Sequence, residues 1–137
     1  MNYPNAGVAV FVKKGNSILL GSRIQAVGFG DGEWCLPGGK LDWFEELEDG
    51  CRRETLEETG ISVDNLSFVG FSNDKFPIVN KHYVTLYYAA RVPPDTVARV
   101  MEPNKSREWR WFPLDNLPPN IFCSWQPLVS KVRELNP

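Results

Sequence analysis

The sequence holds little from which a thiolate metal cage or a disulfide scaffold could be built. Its 137 residues include one histidine, His82, and three cysteines, Cys35, Cys51 and Cys123, widely spaced and without a CxxC pair. That excludes a Cys/His zinc site and a paired disulfide framework, and reduced thiols of this kind fit a cytoplasmic protein. Long apolar runs are missing too. The longest, around residues 7–12 and 83–90, fall well short of the ~20 residues of a membrane span, and the N-terminal MNYPNAGVAV has no basic region followed by an apolar stretch. The expectation is a soluble chain with no membrane partner and no export signal. Strong net charge is equally absent: 15 Lys+Arg against 17 Asp+Glu leave -2, with the basic residues scattered rather than striped. A nucleic-acid partner is therefore not expected. With 42% hydrophobic residues the composition is neither disordered nor collagen-like, and a chain of this length forms one core, so 1–137 reads as a single domain.

One further absence is local. The chain has 11 prolines but none between Pro37 and Pro77, which leaves room for a long helix. The pattern places that helix at Glu45 to Thr59, stopped by Gly60 as a left-handed cap, with strand character resuming at Ile61. Glu48 with Arg52 and Asp49 with Arg53 stand as favourable i,i+4 pairs. Before the helix, Ala6 to Lys13 and Ser17 to Gly21 read as a hairpin around Lys14-Gly15-Asn16, and Gln25 to Glu33 as a glycine-rich loop. Pro37-Gly38-Gly39 reads as a turn whose backbone can approach a ligand closely. After the helix, Leu66 to Phe71, His82 to Val92 and Trp109 to Phe112 read as strands, and Trp125 to Leu135 as a closing helix. Strands on both sides of one long helix, with a second helix at the end, predict an α+β or layered α/β/α domain.

The near-neutral balance conceals an asymmetry. Residues 42–58 carry eight acids, Asp42, Glu45, Glu46, Glu48, Asp49, Glu54, Glu57 and Glu58, against Arg52 and Arg53. Glu54, Glu57 and Glu58 fall at 0, +3 and +4 on one side of the helix, near its C-terminus. There they repel one another and face the negative end of the helix dipole, at a cost of a few tenths to ~1 kcal/mol each. Such a cluster is either a solvated face or a site for a divalent cation, since carboxylate oxygens suit Mg²⁺, Mn²⁺ or Ca²⁺.

The residues around the cluster bear on that choice. From Gly39 the chain runs five residues to Glu45, seven more, then Arg53-Glu54-Thr55-Leu56-Glu57-Glu58-Thr59-Gly60-Ile61. This resembles the Nudix box of the Nudix (MutT-like) hydrolases, spanning 39–61, with one departure: Thr55 stands where an aliphatic residue is usual. The resemblance implies an α/β/α sandwich with a mixed sheet and a loop-helix-loop box. It implies a Mg²⁺-dependent (or Mn²⁺-dependent) hydrolase of a diphosphate linkage, with Glu54, Glu57, Glu58 and the Gly39 carbonyl as metal ligands. Arg53 would orient the glutamates, and Glu45 would brace the loop. Beyond the box, WCLPGGKLD, HYVTLYY, EPNKSREWRWFPLDNLPP and WQPL look like the MutT-like nucleoside triphosphate diphosphatase subgroup. By that similarity Arg23, Gly38 and Gly39 contact substrate, His82 lines the pocket, Trp125 stacks on a base, and Phe29 and Phe122 are further pocket candidates. An acid before the Trp-x-Trp strand often helps bind metal in relatives; here Arg107 stands in its place, leaving Glu102 or Glu108. The implied reaction converts a nucleoside triphosphate, a dNTP or modified dNTP, to monophosphate and pyrophosphate. Alternatives are another diphosphate substrate, such as a nucleotide sugar, dinucleoside polyphosphate or prenyl diphosphate, or a non-catalytic nucleotide-sensing module. A homodimer is compatible with the family.

Overall fold

The computed structural model describes residues 2–24, 32–122 and 124–135. The order of elements is β1 (Asn5–Lys14), β2 (Ser17–Arg23), β3 (Trp34–Cys35), β4 (Gly38–Lys40), α1 (Leu47–Thr59), β5 (Ser67–Phe76), β6 (Lys81–Arg91), β7 (Ser106–Pro113) and α2 (Val129–Glu134). Short 3-10 turns at Pro77–Val79 and Gln126–Leu128 precede β6 and α2.

The run GVAVFV in β1 is apolar at every position because the strand is covered on both faces. Val8, Val10 and Val12 join Cys51, Ile61 and Val63 on the α1 side. Ala9 and Phe11 join Trp125, Val129 and Val132 on the α2 side. The result is a helix–sheet–helix sandwich. The sheet is mixed: β1 runs parallel to β6 and antiparallel to β2 and β4, in the order β3-β2-β1-β6-β5 with β7 on β2. β2 pairs with β1 only at Lys13↔Ile18 and Lys14↔Ser17, and the other half of that β1 edge is taken by β4 at Gly7↔Lys40, Val8↔Gly39 and Ala9↔Gly38. That insertion brings the start of the box against the middle of the sheet.

Several local expectations are corrected. Pro37-Gly38-Gly39 is not a free turn; Gly38 and Gly39 are ladder residues of β4. Glycine is required at position 38 by crowding, since a Cβ there would sit 2.2 Å from the Val8 carbonyl oxygen. The helix starts at Leu47, because Asp42 to Glu46 form the loop that Glu45 braces. Its C-terminus is as expected, with Gly60 at φ 75° and its N–H on the Leu56 carbonyl. Ile61 does not begin a strand: Ile61 and Val63 are buried in irregular backbone, and β5 begins at Ser67. The closing helix is one short turn and six residues rather than the whole of 125–135. Lys13 is 2% exposed and ties that helix down, donating from Nζ to the Val132 and Leu135 carbonyls at 3.3 and 2.8 Å. Arg53 does not pair with Asp49, which bonds Arg52 instead. Phe29, Cys123 and most of the expected 25–33 loop lie outside the described residues. Cys35 and Cys51 are free thiols, and among the described residues no helix is long and apolar enough to cross a membrane.

Candidate active site

A cavity of about 410 Å³ opens between β4, the C-terminal half of α1 and the β1–β6–β5 part of the sheet. Gly38, Gly39, Glu54 and Glu58 line it, together with Arg23, Lys105 and Trp125.

Arg53 organises the acidic wall. Its Nε and Nη2 donate to the two oxygens of Glu45 at 2.8 and 2.9 Å, its Nη1 to Glu54 Oε1 at 2.8 Å, and its Nη2 also to the Lys40 carbonyl at 3.1 Å. Glu57 Oε2 stands at 3.5 Å. This two-point grip holds the Glu45 carboxyl down at about 2, first through the Arg53 hydrogen bonds and then through the Asp42 backbone N–H. Glu45 thereby locks the loop between β4 and α1, while Arg53 fixes the direction of Glu54.

The three box glutamates diverge as helix geometry requires. Glu54 and Glu58, four residues apart, share the cavity side, whereas Glu57 lies about 100° from Glu58 around the axis and is half exposed. Glu54 packs so closely on Gly39 that a Cβ there would sit 2.5 Å from its carboxylate. Burial raises the Glu54 carboxyl above its ordinary value against the pull of Arg53. Glu58 accepts the Gly38 N–H at 2.8 Å, yet burial, helped by the charges of Glu54 and Glu102, pushes its carboxyl up to about 8. Among the described residues no three His, Cys, Asp or Glu side chains stand tightly enough together to enclose an ion as they lie. What the fold offers is a pair of part-buried carboxylates, beside the Gly39 backbone, whose repulsion a cation relieves. A hard-oxygen donor set of this kind fits a divalent metal.

The segment after β6 crosses the end of α1, where the Arg99 and Met101 N–H groups bond the Thr59 and Glu58 carbonyls at 2.9 and 3.4 Å. It delivers Glu102 to the electrostatic neighbourhood of Glu58, with Lys105 3.6 Å from Glu102. Glu108 instead lies on β7, paired with Arg110 at 2.6 Å, and Arg107 donates to the Arg23 carbonyl at 2.8 Å. Of the two acids left open by the sequence, Glu102 is the one brought to the box. Arg23 lies in the cavity wall with its guanidinium 3.8 Å over the Phe122 ring.

Two expected pocket residues are placed differently. His82 does not line this cavity: Lys81, Tyr83, Thr85 and Tyr87 of β6 do, and strand alternation sends His82 to the other face, where its Nε2 meets Asn73 Oδ1 at 2.5 Å. Trp125 borders the cavity but is 1% exposed, its ring edge-on to Phe11 at 5.8 Å, so no open face is left for stacking. Sequence reasoning missed Asp74, 4% exposed in the same wall. The alternation of β5, with Ser72 and Asp74 inward and Asn73 and Lys75 outward, is the signal that identifies it.

A family model described as NUDIX domain matches residues 1–129. The oxidized purine nucleoside triphosphate hydrolase of Mus musculus is 35% identical over 113 residues, covering 80% of this chain and 66% of that protein. The protein of the same description from Danio rerio is 36% identical over 111 residues, with the same coverage of both chains. The chain thus spans about two thirds of the length of these relatives. A MutT NUDIX hydrolase crystal structure from Burkholderia pseudomallei superposes with a TM-score of 0.86 at 29% identity, over 96% of this chain and 99% of that one. With the box geometry in place and a family match that extends over nearly the whole sequence, the chain belongs to the NUDIX domain family.

Proposed function

We propose that the protein is a divalent-metal-dependent pyrophosphohydrolase that cleaves a nucleoside triphosphate, an ordinary or modified dNTP, to the monophosphate and pyrophosphate. The observation that carries this is the pairing, in one cavity, of the part-buried Glu54 and Glu58 beside the Gly39 backbone with the cations Arg23 and Lys105. Carboxylates alone would repel a polyphosphate; set beside fixed cations they form a site that takes metal and phosphate together.

Glu54 and Glu58, with the Gly39 carbonyl, would hold Mg²⁺ or Mn²⁺, and Glu57 would join from the half-exposed side. When bound, the metal supplies neutralisation of the phosphate oxygens and lowers the pKa of an attacking water. The chain's own part is positional. Arg53 keeps Glu54 aimed at the cavity and is itself held by Glu45. Gly38 and Gly39 let the β4 backbone come close enough to meet both carboxylates. Arg23 and Lys105 orient the phosphates, and Glu102 adds the acid outside the box. The names of the mouse and zebrafish relatives favour an oxidised purine nucleotide among the modified dNTPs. The free thiols Cys35 and Cys51 support a cytoplasmic site of action, and exposed Phe68 and Phe71 on the edge strand β5 support a homodimer.

The test is a panel of ordinary dNTPs, oxidised and methylated dNTPs, nucleotide sugars, a dinucleoside polyphosphate and geranyl diphosphate, each with Mg²⁺. Pyrophosphate released from a dNTP supports the proposal. Turnover of geranyl diphosphate alone, or of nothing, refutes it.

A further inference from the structure

The wall of the cavity away from α1 is made by alternate residues of β5 and β6, and Asp74 is buried in it. Asp74 Oδ2 accepts hydrogen bonds from Ser72 Oγ at 2.7 Å and Thr85 Oγ1 at 3.3 Å. Ser72 Oγ is in turn 2.8 Å from the Tyr87 hydroxyl, so the side chain is held from several directions. Asp74 Oδ1, however, is buried and has no hydrogen-bond partner among the described residues. A second unmatched polar atom of opposite character belongs to the same cavity lining: the indole Nε1–H of Trp125. An acceptor and a donor left unmatched in a protein interior are each unfavourable, and they are the complement of a ligand that carries both. A Cβ at Gly7 would lie 3.4 Å from the Gly39 carbonyl oxygen and 3.6 Å from Thr85 Oγ1, and Thr85 Oγ1 is 3.3 Å from Asp74 Oδ2. One small molecule in the cavity can therefore reach the box backbone at one end and the Asp74 carboxylate at the other.

Building on the nucleotide reading above, we propose that Asp74 is a specificity residue that accepts the N–H donors on the Watson–Crick edge of a guanine-type base. A carboxylate accepts and does not donate. Guanine presents two N–H donors side by side, N1–H and N2–H, next to the O6 acceptor. Adenine and cytosine follow their amino group with a ring nitrogen whose lone pair would face the carboxylate, and thymine flanks its one N–H with two carbonyls. The Trp125 N–H supplies the donor that O6 requires. A prenyl chain would leave both protein atoms unmatched, so the same pair selects against an apolar tail. With Oδ2 held by Ser72 and Thr85, Oδ1 is the oxygen left for the ligand.

The test is calorimetric binding of dGMP, dIMP and dTMP to the metal-free protein, with kcat and KM for dGTP and dITP measured alongside. Removing the 2-amino group in dIMP, or replacing the base in dTMP, should weaken binding to the wild-type protein about 10-fold or more, the usual effect of one hydrogen bond to a charged group. Asp74→Asn, close to isosteric, should bring the three ligands within about threefold of one another and act on dGTP mainly through KM. The dGMP-to-dIMP comparison needs no variant and so remains decisive if Asp74→Asn folds poorly. Equal binding of the three ligands to the wild-type protein, or an unchanged ratio in folded Asp74→Asn, overturns the proposal. If no triphosphate is hydrolysed but dGMP still binds in an Asp74-dependent way, the hydrolase reading fails and the base site stands.

Discussion

Thr55 is the one position where the box departs from its usual pattern, and replacing it by valine gives a clean test of the packing under α1. Cys51, Thr55 and Thr59 form the buried stripe that the helix lays on the sheet, and Thr55 is 0% exposed. Its neighbour Thr59 satisfies its hydroxyl on the Thr55 carbonyl at 2.6 Å, but Thr55 Oγ1 has no partner among the described residues. An unmatched buried hydroxyl costs about 1 to 2 kcal/mol, and valine has nearly the same shape and helix propensity as threonine. Thr55→Val should therefore stabilise the fold by about 1 to 2 kcal/mol. For a chain of 137 residues that is a rise in melting midpoint of about 3 to 7 °C. Differential scanning calorimetry reads the midpoint, and urea titration should show a higher midpoint with the same slope. An unchanged or lower stability would mean that the hydroxyl is bonded, and would refute the reasoning.

Two further predictions concern the framework. Because Arg53 holds the Glu45 carboxyl at about 2, below its value in an unfolded chain, the grip stabilises the fold fully above about pH 4 and is lost as the pH falls towards 2. Glu45→Gln should remove that part of the acid dependence and cost about 1 to 2 kcal/mol at neutral pH, read by urea titration at pH 7 and pH 3. Lys13→Met keeps the buried stem but frees the Val132 and Leu135 carbonyls; it should destabilise the protein by about 1 to 3 kcal/mol and raise amide exchange in α2 first.

The order of elements is legible in the sequence because it follows from period and punctuation: a buried run in β1, a proline-free stretch for α1, glycine at its end. What is less legible depends on partners far away in the chain. Gly38 and Gly39 look like a turn until Val8 and Ala9 are known to pair with them. Ile61 and Val63 have strand character, yet Ser67 is where β6 offers a pairing edge. The helix spacing put Glu54, Glu57 and Glu58 on one side, but the sheet lies nearer one flank of that arc, so Glu54 and Glu58 meet the cavity and Glu57 does not line it. The position of His82 depends on the phase of the strand, which the composition of the run does not fix; counting by twos from Tyr87, whose hydroxyl points at Ser72, gives Thr85 and Tyr83 inward and His82 outward. The same count on β5 makes Asp74 an inward acid.

The most direct measurement is pyrophosphate release from dGTP by the wild-type protein and by Glu58→Gln, with Mg²⁺ and with EDTA. Glu58 is the box glutamate most deeply committed to the cavity, bonded to Gly38 and pushed up to about 8 by burial. Release by the wild-type protein with Mg²⁺, its loss in EDTA, and a fall of at least about 100-fold in folded Glu58→Gln are the results expected of metal-dependent electrostatic catalysis. Equal turnover by the wild-type protein and Glu58→Gln, or release that persists in EDTA, would contradict it.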